Sequence, residues 1–185
     1  MTPRICYLAS ARSVYNVRWA NRMVELGWDV HLVSWRAANS RHVLDPNVHL
    51  KRIVSPPHYV FFGSALVEIA SYIRRTNPDI IHGHYVHTFG ALAGLHALLD
   101  DSRPTVISAW GPGGLLAMRQ PLRGLAAVAM RKADVVATTS PYLAAILRER
   151  HTLPAEKIVT FPWGIDTLCF SRGYDSQVAD MRGLL

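Results

Sequence analysis

The stretch Pro78-Asp79-Ile80-Ile81-His82-Gly83-His84-Tyr85 decides the fold. Pro78 ends the helix-like pattern before it, because proline lacks an amide hydrogen and restricts the residue that precedes it. The two isoleucines then predict a short, fully buried strand over residues 79–83 that leads into a polar, glycine-containing loop. We place this strand beside the first strand, in the middle of a parallel sheet. In such sheets the ligand crevice lies at the carboxyl ends of the central strands, where the strand order reverses.

The rest of the chain alternates between strand and helix patterns. Strands are predicted at residues 4–9, 29–35, 48–54, 105–109, 134–137 and 157–161, and helices at 15–26, from a cap at Ser64, at 86–99, at 115–132 and after Ser140. Alternation of this kind indicates βαβ units, so we expect a doubly wound, Rossmann-like, three-layer α/β/α domain with about seven mostly parallel strands. The first turn lacks G-x-G-x-x-G, which argues against a nicotinamide enzyme.

Composition limits the class of protein and its partners. The chain has 185 residues, of which 50% are hydrophobic and 18% are charged, as in a globular domain. Its formal net charge of +7 favours phosphate-bearing ligands, nucleic acid or anionic lipid, and a solvated basic surface is the alternative. Cys6 and Cys169 are expected to be reduced thiols. No apolar run reaches the ~18 residues of a membrane span, and the apolar N-terminal stretch is shorter than the ~7–15 residues of a signal peptide core. We therefore predict a cytoplasmic protein.

Two later stretches carry a family resemblance. Asp134-Val-Val-Ala-Thr-Thr-Ser140 and Lys157-Ile-Val-Thr-Phe-Pro-Trp-Gly-Ile-Asp166, with Phe170 beyond, resemble the end of the N-terminal domain of GT-B glycosyltransferases of the family 4 type. The central stretch is similar to that family's "kPDviHaH", and Trp19 through Val33 looks like its "RWa..La..GheVhv". The resemblance implies that residues 1–170 are the Rossmann-like N-terminal half of a GT-B fold. Residues 171–185 would then be a connector toward a missing C-terminal domain that binds the donor.

The resemblance also implies an activity. Family members transfer a sugar, with retention of configuration, from a nucleotide-sugar to an acceptor hydroxyl of a glycan, a lipid-linked acceptor or a small molecule. No cofactor is implied, because the nucleotide-sugar is a co-substrate, and the resemblance implies a reaction that usually proceeds without a bound metal. The N-terminal half mainly holds the acceptor, so this chain alone is expected to be inactive. It departs from the family pattern at Ser10-Ala11-Arg12-Ser13, where a Gly-Gly turn is usual, at Trp110-Gly111, where many members carry His-Gly, at Pro112-Gly113, and at Trp163 before Gly164.

The candidate site residues follow the strand ends. His82 and His84 are two apart, so they share one face of the strand. We predict a catalytic or hydrogen-bonding role for them, with a satisfied core pair as the alternative, and we disfavour a metal because no carboxylate lies in the adjacent loop. Ser10, Arg12 and Ser13 precede the first helix and are predicted to bind phosphate, unless they form an ordinary turn. The predicted cleft is completed by Tyr85, Trp110, Gly111, Gly113, Gly114, Ser140, Gly164 and Asp166. The glycines equally suit a turn, and Ser140 followed by Pro141 suits a helix cap.

Other functional classes stay open. The same fold could be a non-catalytic binding domain or a truncated remnant. A nucleic-acid partner is not expected, since the arginines are scattered and no RRM, KH or zinc pattern occurs. A second hypothesis places the protein peripherally on the inner face of the membrane, because apolar and basic groups together bind anionic lipid. These groups are Leu115, Leu116, Met118, Arg119 and Arg123, with Tyr59, Phe61 and Phe62 in a predicted loop, although the aromatics could instead pack on the sheet.

Overall fold

A computed structural model describes residues 2–38, 43–55, 59–110, 122–162 and 164. The strands are β1 (Arg4–Leu8), β2 (Asp29–Ser34), β3 (His49–Arg52), β4 (Ile80–His84), β5 (Thr105–Ala109), β6 (Val135–Thr138) and β7 (Ile158–Thr160). The α-helices are α1 (Val14–Glu25), α2 (Phe62–Thr76), α3 (Gly90–Leu99), α4 (Leu122–Lys132) and α5 (Pro141–His151). Short 3-10 turns span Tyr59–Phe61 and Ala155–Lys157, and a π-helical turn spans Tyr85–Phe89.

The seven strands form one parallel sheet in the order β3-β2-β1-β4-β5-β6-β7. This confirms the predicted α/β Rossmann-like domain and the place of β4 beside β1. The chain builds the sheet outward from β1 to β3 and then returns to β4, so the strand order reverses between β1 and β4. A ligand crevice is expected at the carboxyl ends of these two strands.

The core lies on both faces of the sheet. Successive side chains of a strand point to opposite faces. On β1, Cys6 and Leu8 accordingly pack in a cluster with α2 and α3, while Ile5 and Tyr7 pack in another with Ala20 of α1. Cys6 is fully buried, and its burial raises the pKa of its thiol to about 12. Cys169 lies outside the described residues.

The segment before α2 corrects two predictions. Phe61 ends a 3-10 turn and Phe62 begins the helix, so these aromatics do not lie in an open loop. Phe62 is buried with Ala65, Ile69 and Ile73, because it begins the apolar stripe of the helix. Ser64 lies inside the first turn and its Oγ donates to the carbonyl of Phe61, so it does not cap the helix.

The predicted helix over residues 86–99 is divided. A π-helical turn comes first, and Tyr85 at its start has a φ of 67°, which side-chain-bearing residues rarely adopt. The α-helix proper begins at Gly90. Glycines let it lie close to its neighbours: a Cβ added to Gly83 of β4 would lie 2.7 Å from the Cβ of Ala93, and one added to Gly94 would lie 2.5 Å from that of Ala129 on α4. Among the described residues, none of the helices has the length and apolar character of a membrane-spanning segment.

Candidate functional site

Four of the predicted site residues lie at the carboxyl edge of the sheet. Ser10 follows β1, His84 ends β4, Trp110 follows β5 and Ser140 follows β6. Since all the strands are parallel, these positions share one rim, and the rings of His84 and Trp110 are in contact with centroids 4.4 Å apart. The structure thus places these four residues at one edge of the sheet, and their roles stay predictions.

The rings of the two histidines of β4 are in contact at the centre of the rim, and each ring is hydrogen-bonded to a neighbouring element. Their centroids are 4.4 Å apart. Nε2 of His82 lies 2.8 Å from Oγ of Ser108 on β5, and Nδ1 of His84 lies 2.7 Å from Oδ1 of Asn16 on α1. The amide nitrogen of Asn16 donates to the carbonyl of Ser10 at 2.9 Å. The network thus joins β4 to the β1–α1 turn.

Aromatic rings enclose the histidines. Trp19 of α1 lies with its ring centroid 5.5 Å from that of His82, and Tyr7 of β1 lies 5.4 Å from the same ring. His84 is fully buried. Burial lowers the pKa of His82 to about 3. It also lowers the pKa of His84 well below the usual value, and the neighbouring His82 adds to that shift. Both imidazoles are therefore neutral at pH 7.

The hydrogen bond to Asn16 assigns the tautomer of His84. Because the amide nitrogen of Asn16 is directed to Ser10, its oxygen faces the imidazole and must accept. Nδ1 of His84 therefore carries the hydrogen, and Nε2 carries a lone pair. Nε2 is buried and has no hydrogen-bond partner in the part of the chain that the structure describes. This atom can accept a hydrogen bond from a hydroxyl group.

The backbone N–H groups of the β1–α1 turn already donate hydrogen bonds within the protein. The N–H of Ala11 donates to Oγ of Ser34, that of Arg12 to Oγ of Ser10 at 3.3 Å, and that of Ser13 to the carbonyl of Ser10. Ser13 is the N-cap residue of α1 but makes no side-chain cap bond. Arg12 is exposed. Any charge contact with a phosphate from this turn would thus come from the Arg12 side chain and the first turn of α1.

Two cavities open beside these elements. One of about 170 Å³ lies at the ends of β1 and β2 and is lined by Ser10, Ser34, Trp35, Arg36 and Phe89. The other, of about 290 Å³, lies along α1 and is lined by Tyr15, Arg18, Trp19, Arg22, Met23 and the predicted site residue Gly164. Trp19 lines the second cavity and contacts the histidines, so this cavity adjoins the pair.

The remaining predicted residues have varied placements. Tyr85 is half-buried, and its ring meets that of Trp110 edge-on at 5.6 Å. Oγ of Ser140 accepts from the N–H of Leu143 at 3.2 Å, so the helix-cap interpretation of this serine is confirmed. Gly111, Gly113, Gly114 and Asp166 lie outside the described residues.

The sequence patterns did not single out Asn16, Ser108 or Tyr7. A signal existed for Asn16, since it lies one turn before Ala20 on the buried side of an amphipathic helix. A polar residue on such a face requires a buried partner. The contact of Trp19 with both histidines depends on how α1 packs on the sheet.

This combination defines the class of protein: a doubly wound α/β domain with a polar rim at its topological switch point. The sequence model of Glycosyltransferase Family 4 matches residues 13–167, and the chain belongs to that family. No curated protein matches it significantly.

Solved structures share the fold at low sequence identity. Anabaena HepE in complex with UDP and glucose is 12% identical, with a TM-score of 0.69, and the match covers 97% of this chain and 50% of HepE. A sucrose-phosphate synthase structure from Thermosynechococcus elongatus is 16% identical, with a TM-score of 0.60 and coverage of 98% and 96%. A putative UDP-N-acetylglucosamine 2-epimerase from Listeria monocytogenes is 14% identical, with a TM-score of 0.63 and coverage of 85% and 44%. The chain thus spans about half the length of HepE and of the epimerase.

Proposed function

We propose that this chain is the acceptor-binding half of a retaining glycosyltransferase that moves a sugar from a nucleotide-sugar to an acceptor hydroxyl. The main support is the lone pair on Nε2 of His84, which lies at the switch point of a Family 4 domain. The hydrogen bond from Nδ1 to Asn16 fixes the ring in the tautomer that leaves this lone pair available. HepE, on the same fold, binds UDP and glucose, which supports a nucleotide-sugar donor. The acceptor would be a glycan, a lipid-linked sugar or a small molecule. The epimerase with the same fold shows why fold alone does not decide the reaction.

The histidines would position the acceptor. An imidazole with a strongly lowered pKa is a weak base, so His84 would accept a hydrogen bond from the hydroxyl instead of removing its proton. His82, which is hydrogen-bonded to Ser108, would hold the ring of His84 in place through the contact between the two rings. His84 is fully buried and its ring contacts that of Trp110, so the acceptor would reach Nε2 only when neighbouring rings such as that of Trp110 move. Fixing the hydroxyl near the donor carbon is itself a large source of rate enhancement.

The donor would bind across from this rim. A leaving nucleoside diphosphate needs its charge neutralised, and exposed Arg12 beside the N-terminus of α1 is suited to that. We place most donor contacts on a second, C-terminal domain, which residues 171–185 would connect to this one. If that domain supplies one wall of the cleft, we expect the 185-residue chain by itself to be slower by on the order of 10³-fold or more.

The test compares two proteins. A version with a donor-binding domain attached and the 185-residue chain are each titrated with UDP-, GDP- and ADP-sugars and assayed for transfer. We expect binding and transfer only in the two-domain protein, and a lower kcat for its His84→Ala variant. Transfer by the short chain at an ordinary rate would show that the donor site is misplaced. Absence of donor binding by both proteins would favour the alternative, a non-catalytic binding domain or remnant.

We also propose a peripheral position on the cytoplasmic face of the membrane. Of the residues behind this hypothesis, Leu115, Leu116, Met118 and Arg119 lie outside the described residues and Phe62 is buried, so the exposed groups near α2 support it. Val60, Phe61 and Val67 are exposed there, with Arg74 and Arg75 at the end of the helix. Apolar and basic groups together bind anionic lipid. We expect Phe61→Ser to lower flotation with anionic vesicles, and Tyr142→Ser, which changes an exposed aromatic on α5, to leave it unchanged. Equal flotation with neutral and anionic vesicles would refute an electrostatic contribution of the basic residues to membrane binding.

A further inference from the structure

A second cluster of titratable side chains lies at the opposite, amino-terminal edge of the sheet. Asp29 begins β2, and His31 follows two residues later. His49 begins β3, directly beside His31 in the parallel register. Residues two apart on a strand share a face, and so do paired residues on neighbouring parallel strands. The three side chains therefore converge on one side of the sheet, away from the rim of His84.

We propose that Asp29, His31 and His49 bind a single divalent transition-metal ion, for which Zn²⁺ is the best match. Oδ1 of Asp29 lies 3.4 Å from Nε2 of His31 and 3.4 Å from Nε2 of His49. In a tetrahedral zinc site with bonds of about 2.0–2.1 Å, neighbouring ligand atoms are about 3.3–3.4 Å apart. Two of the three separations already have this value.

The third separation needs a small adjustment. The three ligand atoms lie within 4.8 Å of one another, so the two imidazole nitrogens must approach to share one ion. The His49 side chain is 61% exposed, which leaves it room to rotate and gives an ion access from solvent. A water molecule would complete the coordination, as it does in other zinc sites with three protein ligands.

Two neighbours already hold the ligands in place. The hydroxyl of Tyr72, on α2, lies 2.7 Å from Nδ1 of His31, so Nε2 of that ring faces Asp29. Metal-binding histidines commonly use their other nitrogen in this way, which fixes both ring and tautomer. Nε of Arg4 donates to Oδ2 of Asp29 at 2.5 Å and so leaves Oδ1 to face the histidines.

A purely structural ion-pair cluster is the competing explanation. In that case the histidine N–H groups would donate to Asp29, but 3.4 Å is long for such a bond, whose usual length is about 2.9–3.0 Å. The positive charge of Arg4 disfavours a second cation, so we expect affinity in the micromolar range. Two nitrogen ligands and one oxygen suit zinc, cobalt or nickel, whereas magnesium and calcium prefer oxygen alone.

An ion at this site would tie together three elements. β3 is a four-residue edge strand, joined to the sheet only through β2. The ion would link β2 to β3 directly, and α2 through Tyr72. Since an ion that binds the folded chain stabilises it by mass action, the site would act on stability and not on sugar transfer.

The experiment uses the 185-residue chain without a histidine tag, stripped with a chelator and dialysed. Zn²⁺ is titrated by calorimetry, and Co²⁺ is followed by its visible absorption. We expect one equivalent to bind with a micromolar Kd and Co²⁺ to give tetrahedral bands. His49→Ala, which changes an exposed residue, should weaken binding by at least about 10-fold, and Tyr72→Phe by about 10-fold. His49→Cys should recover most of the affinity, because a thiolate also binds zinc.

The matched control is Arg52→Ala, an exposed residue on the same strand that offers no ligand in the proposed site. It should leave the affinity unchanged. The proposal is refuted if Zn²⁺ binds no tighter than millimolar, or if His49→Ala binds as tightly as the parent chain. Equal weakening by Arg52→Ala and His49→Ala would also refute it, because the loss would then follow from the strand and not from the ligand. Circular dichroism of each variant confirms that it is folded.

Discussion

His84 donates its Nδ1 hydrogen to Oδ1 of Asn16 at 2.7 Å, across 68 positions of sequence. Asn16 in turn donates to the carbonyl of Ser10, which lies in the turn that leads into α1. One amide side chain therefore sets the tautomer of the central histidine and fixes the turn beside it. Both His84 and Asn16 are almost fully buried, so neither can exchange its partner for water.

Asn16→Leu tests this relationship. The substitution keeps the approximate volume but removes the acceptor, so a buried imidazole N–H is left unsatisfied, at a cost of about 1–3 kcal/mol in the free energy of unfolding. Urea denaturation at pH 7 measures the loss. In a His84→Leu background the same substitution should cost less, since no imidazole hydrogen remains to be satisfied. Equal costs in the two backgrounds would show that the bond contributes nothing.

The histidine pair predicts acid sensitivity. The folded-state pKa values of His82, about 3, and of His84 are lowered by burial, whereas an unfolded histidine has a pKa of about 6.5. The unfolded chain thus binds more protons below pH ~6.5, and stability present above that pH is lost as the pH falls. We expect these two residues to lower the free energy of unfolding by roughly 2 kcal/mol between pH 6 and pH 5. Urea denaturation across this range measures the slope of the free energy of unfolding against pH.

Two variants distinguish titration from packing. His82→Gln removes one titrating group and should reduce the slope by about 1 kcal/mol per pH unit. Ser108→Ala removes the hydrogen-bond partner of His82 but keeps the imidazole, so it should lower stability while the slope is retained. A slope that is unchanged in His82→Gln would contradict the assignment.

The sequence predicted the sheet because its signals are local. Pro78 ends a helix, apolar runs mark the strands, and Ser140-Pro141 begins α5 as expected. The central position of β4 followed from its isoleucines and polar tip. The bond between Asn16 and His84 could not be predicted, since it depends on how α1 packs on the sheet. The positive φ of Tyr85 also has no local signal, because no glycine marks the turn.

The prediction for the start of α2 was wrong for a physical reason. Ser64 is a favoured cap residue, and propensity alone placed the helix N-terminus there. Burial of Phe62 instead favours a helix whose N-cap is Phe61, three residues earlier, and Ser64 then bonds back to Phe61. Tertiary packing outweighed the cap preference.

Asp79 and Asp134 directly precede β4 and β6, and both belong to the stretches that resemble the family. The N–H of Asp79 donates to the carbonyl of Arg4, and its Oδ2 accepts from the N–H of Arg4 at 2.8 Å. Asp134 makes the same pair of bonds with Thr105. Each aspartate therefore secures the start of the neighbouring strand, so its role in these motifs is structural.

Asp79→Ala should lower the free energy of unfolding by about 1 kcal/mol, because the N–H of Arg4 loses its acceptor. Asp79→Asn keeps a carbonyl oxygen at the same place and should cost less. Thermal denaturation of the two variants side by side gives the comparison. If alanine and asparagine are equally costly, the bond to Arg4 is not what stabilises the strand start.

Gly94 tests how closely α3 packs on α4. A Cβ at this position would lie 2.5 Å from the Cβ of Ala129 and closer than 3.0 Å to its backbone, which no rotation of a side chain relieves. Gly94→Ala must therefore push the two helices apart, and we expect it to lower the free energy of unfolding by about 1–3 kcal/mol, as overpacking does.

Gly124→Ala is the matched control on α4, since nothing among the described residues lies within 4 Å of its added Cβ. Alanine favours the helix over glycine, so this variant should be neutral or more stable by up to about 1 kcal/mol. Urea denaturation of both variants measures the difference. If Gly94→Ala is neutral or stabilising like Gly124→Ala, helix propensity, and not the contact between α3 and α4, governs the outcome.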